Sequence, residues 1–174
     1  SNTGQVNMYH VKSDYATAIF VGDVVSLTGA ADENGIGDVD ICAAGEVITG
    51  VVVGVKVDRA VPATEHPGYI PASTGGYVYV ADSPDQLFEV QEDGVGGAAG
   101  VAAVGSTFDH TVATAGSTTT GLSGHEMDSS NVGTGTGWVI VRASQRVDNE
   151  PANTLAKFIV KPNEHSYGSD AAGV

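Results

Sequence analysis

The sequence predicts an all-β protein: a single antiparallel β-sandwich or barrel domain with many short strands, long Gly/Ser/Thr-rich loops and an extended N-terminal arm. Three observations predict it. Apolar and β-branched residues recur with period two in short runs, the pattern of strands with one buried face. Glycine makes up 24 of 174 residues, about twice ordinary usage, and it is spread between those runs without a G-X-Y period. No stretch has the length and composition of an ordinary helix; the most helix-like, residues 94–105 (GVGGAAGVAAVG), is too rich in glycine for more than a short turn.

Residues 1–14 (SNTGQVNMYHVKSD) are polar and without a strong period, and read as an arm that orders on a partner, with Val6, Met8, Tyr9 and Val11 as its anchors. On that reading, its deletion weakens partner binding and leaves thermal stability nearly unchanged. A strand pattern fills residues 18–28, broken at Gly22-Asp23, and a short strand follows at 39–43. Residues 47–57 alternate most clearly. Val51, Val53, Val55 and Val57 share the face assigned to the core, so Val53→Asp is expected to unfold the domain. Residues 58–76 carry three prolines and read as a surface loop. Strands are expected at 77–81 and 86–91, the latter burying Phe88 and Val90. Another is expected at 107–113. Residues 115–137 (with GSTTTGLSG and GTGTG) read as an excursion from the core. The last two strands are 138–147 and 155–161, with Phe158 and Val160 in the core. The β-rich domain is thus 15–162, followed by a polar tail at 163–174.

Composition excludes several functions. Twenty-one acidic and seven basic side chains give a formal charge of −14, which disfavours nucleic acid, bound through Lys and Arg, and anionic membrane surfaces. No apolar run approaches the roughly 18 residues of a membrane-spanning helix, and the N-terminus has no signal-peptide pattern. Cys42 is the single cysteine. No intrachain disulfide is possible, and the simplest reading is a small buried hydrophobe.

Motifs for catalysis are sparse. The segment Gly121-Leu122-Ser123-Gly124-His125 lacks the final glycine of G-x-S-x-G, and His125-Glu126 is not followed by the second histidine of a zinc motif. No cofactor is expected. One weak calcium candidate is present, since Asp32, Asn34, Asp38 and Asp40 offer hard oxygens at short spacing. Ile36 and Ala43 stand where an EF-hand needs ligands, so an acidic hairpin is the competing reading.

Charge is unevenly distributed. Residues 138–162 hold Arg142, Arg146, Lys157 and Lys161 against Asp148 and Glu150, whereas the first 137 residues hold three basic and 17 acidic groups. An unbroken strand from Trp138 puts Trp138, Ile140, Arg142, Ser144 and Arg146 on one face, with Val139, Val141 and Ala143 toward the core. Trp, Ile and Arg together have the composition of a protein interface. This face is expected to meet a sister copy or another acidic protein.

Several segments occur together in a telling order: YVYVADSPDQLFEVQED at 77–93, then GVGG; GSTTTGLSG at 116–124, followed by Glu126, Asp128, Ser129 and Ser130; RVDNE at 146–150 before a strand with Ala156 and Lys157; and NEHSY at 163–167. In order and spacing they resemble the head decoration, or cement, proteins of tailed bacteriophages. The resemblance implies a non-enzymatic virion structural protein on the outer capsid surface, assembled in the host cytoplasm. It further implies binding to the major capsid protein, bridging of neighbouring capsid subunits, and self-association as a homo-oligomer, with a trimer the expected order. The rival readings are a tail or fibre component and a carbohydrate-binding β-sandwich on the virion surface, for which Trp138 and the tyrosines are the available stacking platforms.

Overall fold

A computed structural model describes residues 6–58 and 67–168. The strands are β1 (Val6–Val11), β2 (Ile19–Phe20), β3 (Val24–Ala31), β4 (Gly37–Ile41), β5 (Gly50–Val57), β6 (Tyr69–Ile70), β7 (Gly76–Ala81), β8 (Phe88–Gln91), β9 (Thr107–Phe108), β10 (His110–Thr111), β11 (Glu126–Met127), β12 (Trp138–Ala143) and β13 (Lys157–Pro162). The helical elements among the described residues are two single 3-10 turns, Val101–Ala103 and Ser129–Asn131. The all-β expectation holds, but the architecture is not one antiparallel sandwich. Five strands close a barrel in the order β1-β4-β3-β5-β7, with β7 returning to β1. Four more form a separate sheet, β8-β13-β12-β9, and two short pairs, β2-β6 and β10-β11, complete the set. The barrel is mixed, because β1 runs parallel to β4.

Each unit has its own core. Tyr9, Val11, Ile19, Val25, Val39, Val52, Ile70, Val78 and Val80 fill the barrel. Phe108, Met127, Trp138, Ile140, Phe158 and Val160 pack beneath the four-stranded sheet, against Val24, Cys42 and Ile48. Barrel closure needs a close approach at Gly50, where a Cβ would strike the Ala81 carbonyl. Gly116 is required for a similar reason, since any side chain there would run into the Phe20 ring. That contact helps seat the 115–137 excursion, which is further bonded to β2 and its flank through Val21 N–H to Gly121 C=O (3.0 Å) and Ser123 N–H to Val21 C=O (2.8 Å).

Four sequence expectations are corrected. First, residues 6–11 are no arm. They form β1, paired residue for residue with β7 from Val6↔Ala81 to Val11↔Gly76, and Tyr9 and Val11 are buried in the barrel. Polar residues between the anchors masked a two-residue alternation in this strand. Residues 1–5 lie outside the described residues.

Second, the tail is docked as far as Gly168. Ile48 N–H donates to Glu164 C=O (3.1 Å), and Ser166 N–H donates to Ile48 C=O (2.8 Å). The Tyr9 hydroxyl donates to Asp82 Oδ2 (2.6 Å) and lies 3.0 Å from the Tyr167 hydroxyl. The strand read as an arm and the segment read as a tail are thereby fastened to one another. Residues 169–174 lie outside the described residues.

Third, the β5 face assigned to the core is wrong at its middle. The pairing with β7 shifts between Val52 and Gly54, so Val53 is the extra residue of a bulge. Val52 is 1% exposed and Val53 is 47% exposed. Val55 and Val57 pack partly against the barrel core and Val51 partly against the other one. Fourth, β12 has its own bulge, between Ile140 and Arg142. It leaves Val141 at the surface and turns Ala143 inward. Trp138 and Ile140 face the core rather than a partner.

Candidate functional site

Three places could carry function: the histidine-lined groove between barrel and sheet, the outer face of the four-stranded sheet, and the outer face of the barrel at β1 and β7. The groove has a volume of about 290 Å³. Phe88, Val90, Phe108, Trp138, Val160, Val24 and Val51 supply its apolar lining, with Ser123, His125, Glu89, Gln91 and Glu126 as polar lining residues. It exists because the excursion brings residues 121–126 back across β2, whose neighbour Val21 bridges to Leu122.

Serine, histidine and aspartate meet at this groove, a convergence the sequence did not disclose because Asp23 is 100 residues from Ser123. The wiring is not that of a nucleophile and its base. His125 Nδ1 accepts the Val24 N–H (3.1 Å), which puts the proton on Nε2, 3.4 Å from Asp23 Oδ1. Ser123 Oγ accepts the His125 N–H (2.9 Å). Neither imidazole nitrogen presents a lone pair to the serine, which base activation requires. His110 is equally committed. Its Nε2–H donates to the Cys42 carbonyl (2.8 Å), and its Nδ1 accepts the Trp138 indole N–H (3.2 Å). The two imidazoles lie stacked, with ring centroids 5.6 Å apart.

Burial pushes the pKa of His125 down to about 4 and lowers that of His110 as well. Protonating His125 would also set a second donor against the Val24 N–H. Between the folded value near 4 and the ordinary 6.5, the unfolded chain binds more protons, so stability rises with pH across that window. The shift corresponds to about 3 kcal/mol. Asp23 works in the opposite sense: burial, foremost, raises its pKa, so its contribution declines as it ionises. The net expectation is a urea midpoint that falls between neutral pH and about pH 4.5, with His125→Asn flattening the fall. A midpoint independent of pH across this range contradicts the assignment.

Cys42 is buried, and burial pushes its thiol up to about 12, the state of an inert core residue. The calcium candidates do not converge. Asp32 Oδ1 accepts the N–H groups of Asn34 and Ile36 (both 2.8 Å), and Oδ2 accepts the Tyr77 hydroxyl (3.0 Å). Asp38 is turned toward β1, 2.6 Å from His10 Nδ1 and 3.5 Å from Lys12 Nζ. The carboxyl of Asp40 has a raised pKa, from burial first. Among the described residues no three His, Cys, Asp or Glu side chains gather as a metal site would need.

The interface candidates divide. Tyr9, Val11, Trp138 and Ile140 are consumed by the chain's own cores. Trp138 stacks on Phe108 and meets Phe88 edge-on, so its ring is withdrawn from any sugar-stacking role. Arg142 and Arg146 are exposed, on or beside the outer face of the four-stranded sheet. Register places Lys157, Ile159 and Lys161 of β13, an inner strand, on that face, with Val139 opposite Lys161 and Arg142 opposite Ile159. Four of the chain's seven basic residues therefore gather around one aliphatic sheet surface. Arg146 pairs with Glu89 and Asp148, Lys157 with Asp148 and Lys161 with Asp85. Among the described residues Arg142 has no carboxylate within ion-pair distance of its guanidinium. Val6 and Met8, the other arm anchors, lie on the barrel exterior, 46% and 39% exposed. Met8 sits opposite Tyr79, which is also exposed and lies beside the Val53 bulge.

No family model matches the chain, and neither the curated proteins nor the solved structures yield a match. The functional reading therefore rests on the residues themselves.

Proposed function

We propose that the chain is a non-enzymatic structural protein of a tailed-phage virion, a decoration protein that binds the outer capsid surface and bridges neighbouring subunits of the major capsid protein. The ordered set of segments between residues 77 and 167 carries the resemblance. The observation that supports it best is the segregation of charge: a chain of net −14 gathers four of its seven cations around one aliphatic sheet face. Such a face suits an acidic protein partner. The acidic remainder keeps densely displayed copies soluble and repels nucleic acid. Exposed ion pairs contribute little to folding, so the cations are free to be re-paired by a partner.

Arg142 is the residue to test. Arg142→Glu should leave the fold and melting temperature unchanged, because the side chain is exposed and without an ion-pair partner among the described residues. Copies of the variant should sediment with empty phage heads at a small fraction of wild-type occupancy, or lose self-association in analytical ultracentrifugation. Wild-type protein that fails to sediment with heads overturns the capsid reading. A variant that binds and assembles normally at moderate salt removes this face from it.

A further inference from the structure

We propose that the groove between barrel and sheet is a strand-addition site, in which an extended segment of a partner protein, bearing an apolar side chain next to a basic one, pairs with the free edge of β8. The argument begins with hydrogen-bond phase. β8 is an outer strand of its sheet and, among the described residues, pairs with β13 alone, through Phe88↔Val160 and Val90↔Phe158. The Glu92 N–H donates to the Ala156 C=O (2.9 Å), which makes Glu92, Val90 and Phe88 the residues whose main-chain groups face β13. In an antiparallel ladder the alternate residues point their N–H and C=O the other way. Those are Glu89, Gln91 and Asp93.

The Asp93 N–H is satisfied by the Met127 C=O (2.9 Å), beside the parallel bridge from Glu92 to Met127. At this point the chain of β11 covers the edge. Before β11 it diverges, and residues 122–126 form the far wall of the groove instead. Glu89 and Gln91 line the opening. No backbone or side-chain partner for their main-chain groups is present among the described residues. An unpaired edge facing an apolar trough is the arrangement that main-chain pairing with side-chain pockets exploits. The trough, floored by Phe88, Val90 and Trp138, supplies the apolar pocket.

Charge selects the occupant. Glu126 lines the groove and, among the described residues, no Lys or Arg does; the Glu89 carboxylate is turned to the outer face of the sheet, where it is engaged by Arg146 and Ser144. Burial lowers the pKa of both histidines, so neither adds a cation at neutral pH. A segment with Lys or Arg next to an apolar residue meets both the floor and Glu126; an acidic one meets like charge. The groove is distinct from the Arg142 face, so capsid binding and peptide binding can fail separately.

The test uses the full chain and a blocked peptide, Lys-Val-Thr-Val-Lys. Binding should shift the Glu89 and Gln91 amide resonances and change Trp138 fluorescence. Two control peptides should bind at least about tenfold more weakly, the factor that 1.4 kcal/mol represents: one N-methylated at alternate residues and one with Glu in place of both lysines. Gln91→Pro removes a donor from the free edge without touching the β13 ladder, and Leu122→Arg places a cation on the exposed wall. Both should weaken binding by a similar factor. The N-methylated peptide asks the same question with no mutation, should Gln91→Pro fail to fold. The proposal is overturned if millimolar peptide leaves both amides unmoved, or if either control peptide binds as well as the parent.

Discussion

Val52→Asp should abolish folding, while its neighbour Val53→Asp should be nearly silent. Val52 lies in the barrel core opposite Val80, and none of the described residues of that core is a cation that could pair with a carboxylate. An uncompensated buried charge costs about 3–5 kcal/mol, a large share of the roughly 5–15 kcal/mol that holds a domain together. Val53 is the bulged residue, facing solvent beside Tyr79, where substitutions usually stay within about 0.5 kcal/mol. Circular dichroism with a thermal ramp checks both. Val52→Asp is expected to show no cooperative transition, and Val53→Asp a melting temperature within a few degrees of wild type. The opposite order would mean that β5 is not bulged and that its simple alternation decides its face.

Removal of residues 1–11 should be as damaging, although these residues look like a dispensable arm. β1 is the strand that closes the barrel, bonded to β7 along its whole length and lying parallel to β4 beside His10 and Asp38. Its loss opens the edges of β4 and β7, strips Tyr9 and Val11 from the core and leaves the buried Asp82 carboxylate without Asn7 and Tyr9. Each buried apolar side chain alone contributes about 1.5–3 kcal/mol. The truncated chain should lose its thermal transition and expose apolar surface to a dye such as ANS. A truncated chain that melts like the full protein would make β1 an accessory strand after all.

The opposite fates of Val52 and Val53, and the place of β1 in the barrel, mark how far local pattern reaches. Alternation of β-branched residues and turn chemistry are local properties. They located β3, β5, β7, β8, β12 and β13, and the short turn near residue 101, because each stretch carries its own period and its own punctuation. Cys42 as a buried hydrophobe, and the gathering of cations near the C-terminus, were legible for the same reason. β1 was missed because its outward positions carry Val6 and Met8 beside Asn7, so polarity does not alternate cleanly. β6 and β11, two residues each, are too short to show any period.

The candidate sites depended on more than local pattern. Strand identity is encoded along the chain, but the face a strand presents is set by the phase of its pairing, and one inserted residue reverses it. The bulges at Val53 and Val141 do so twice: one separates the buried Val52 from the exposed Val53, the other separates the outward Arg142 from the inward Trp138 and Ile140. The approach of Asp23 to Ser123 and His125, the open edge at Glu89 and Gln91, and the docking of residues 163–168 onto Ile48 are contacts across long stretches of chain. Local pattern and composition account for a strongly acidic protein of short strands with four of its seven cations in one late segment. Which side chains are spent on cores and which remain for a partner follows from long-range register and barrel closure, because these fix burial.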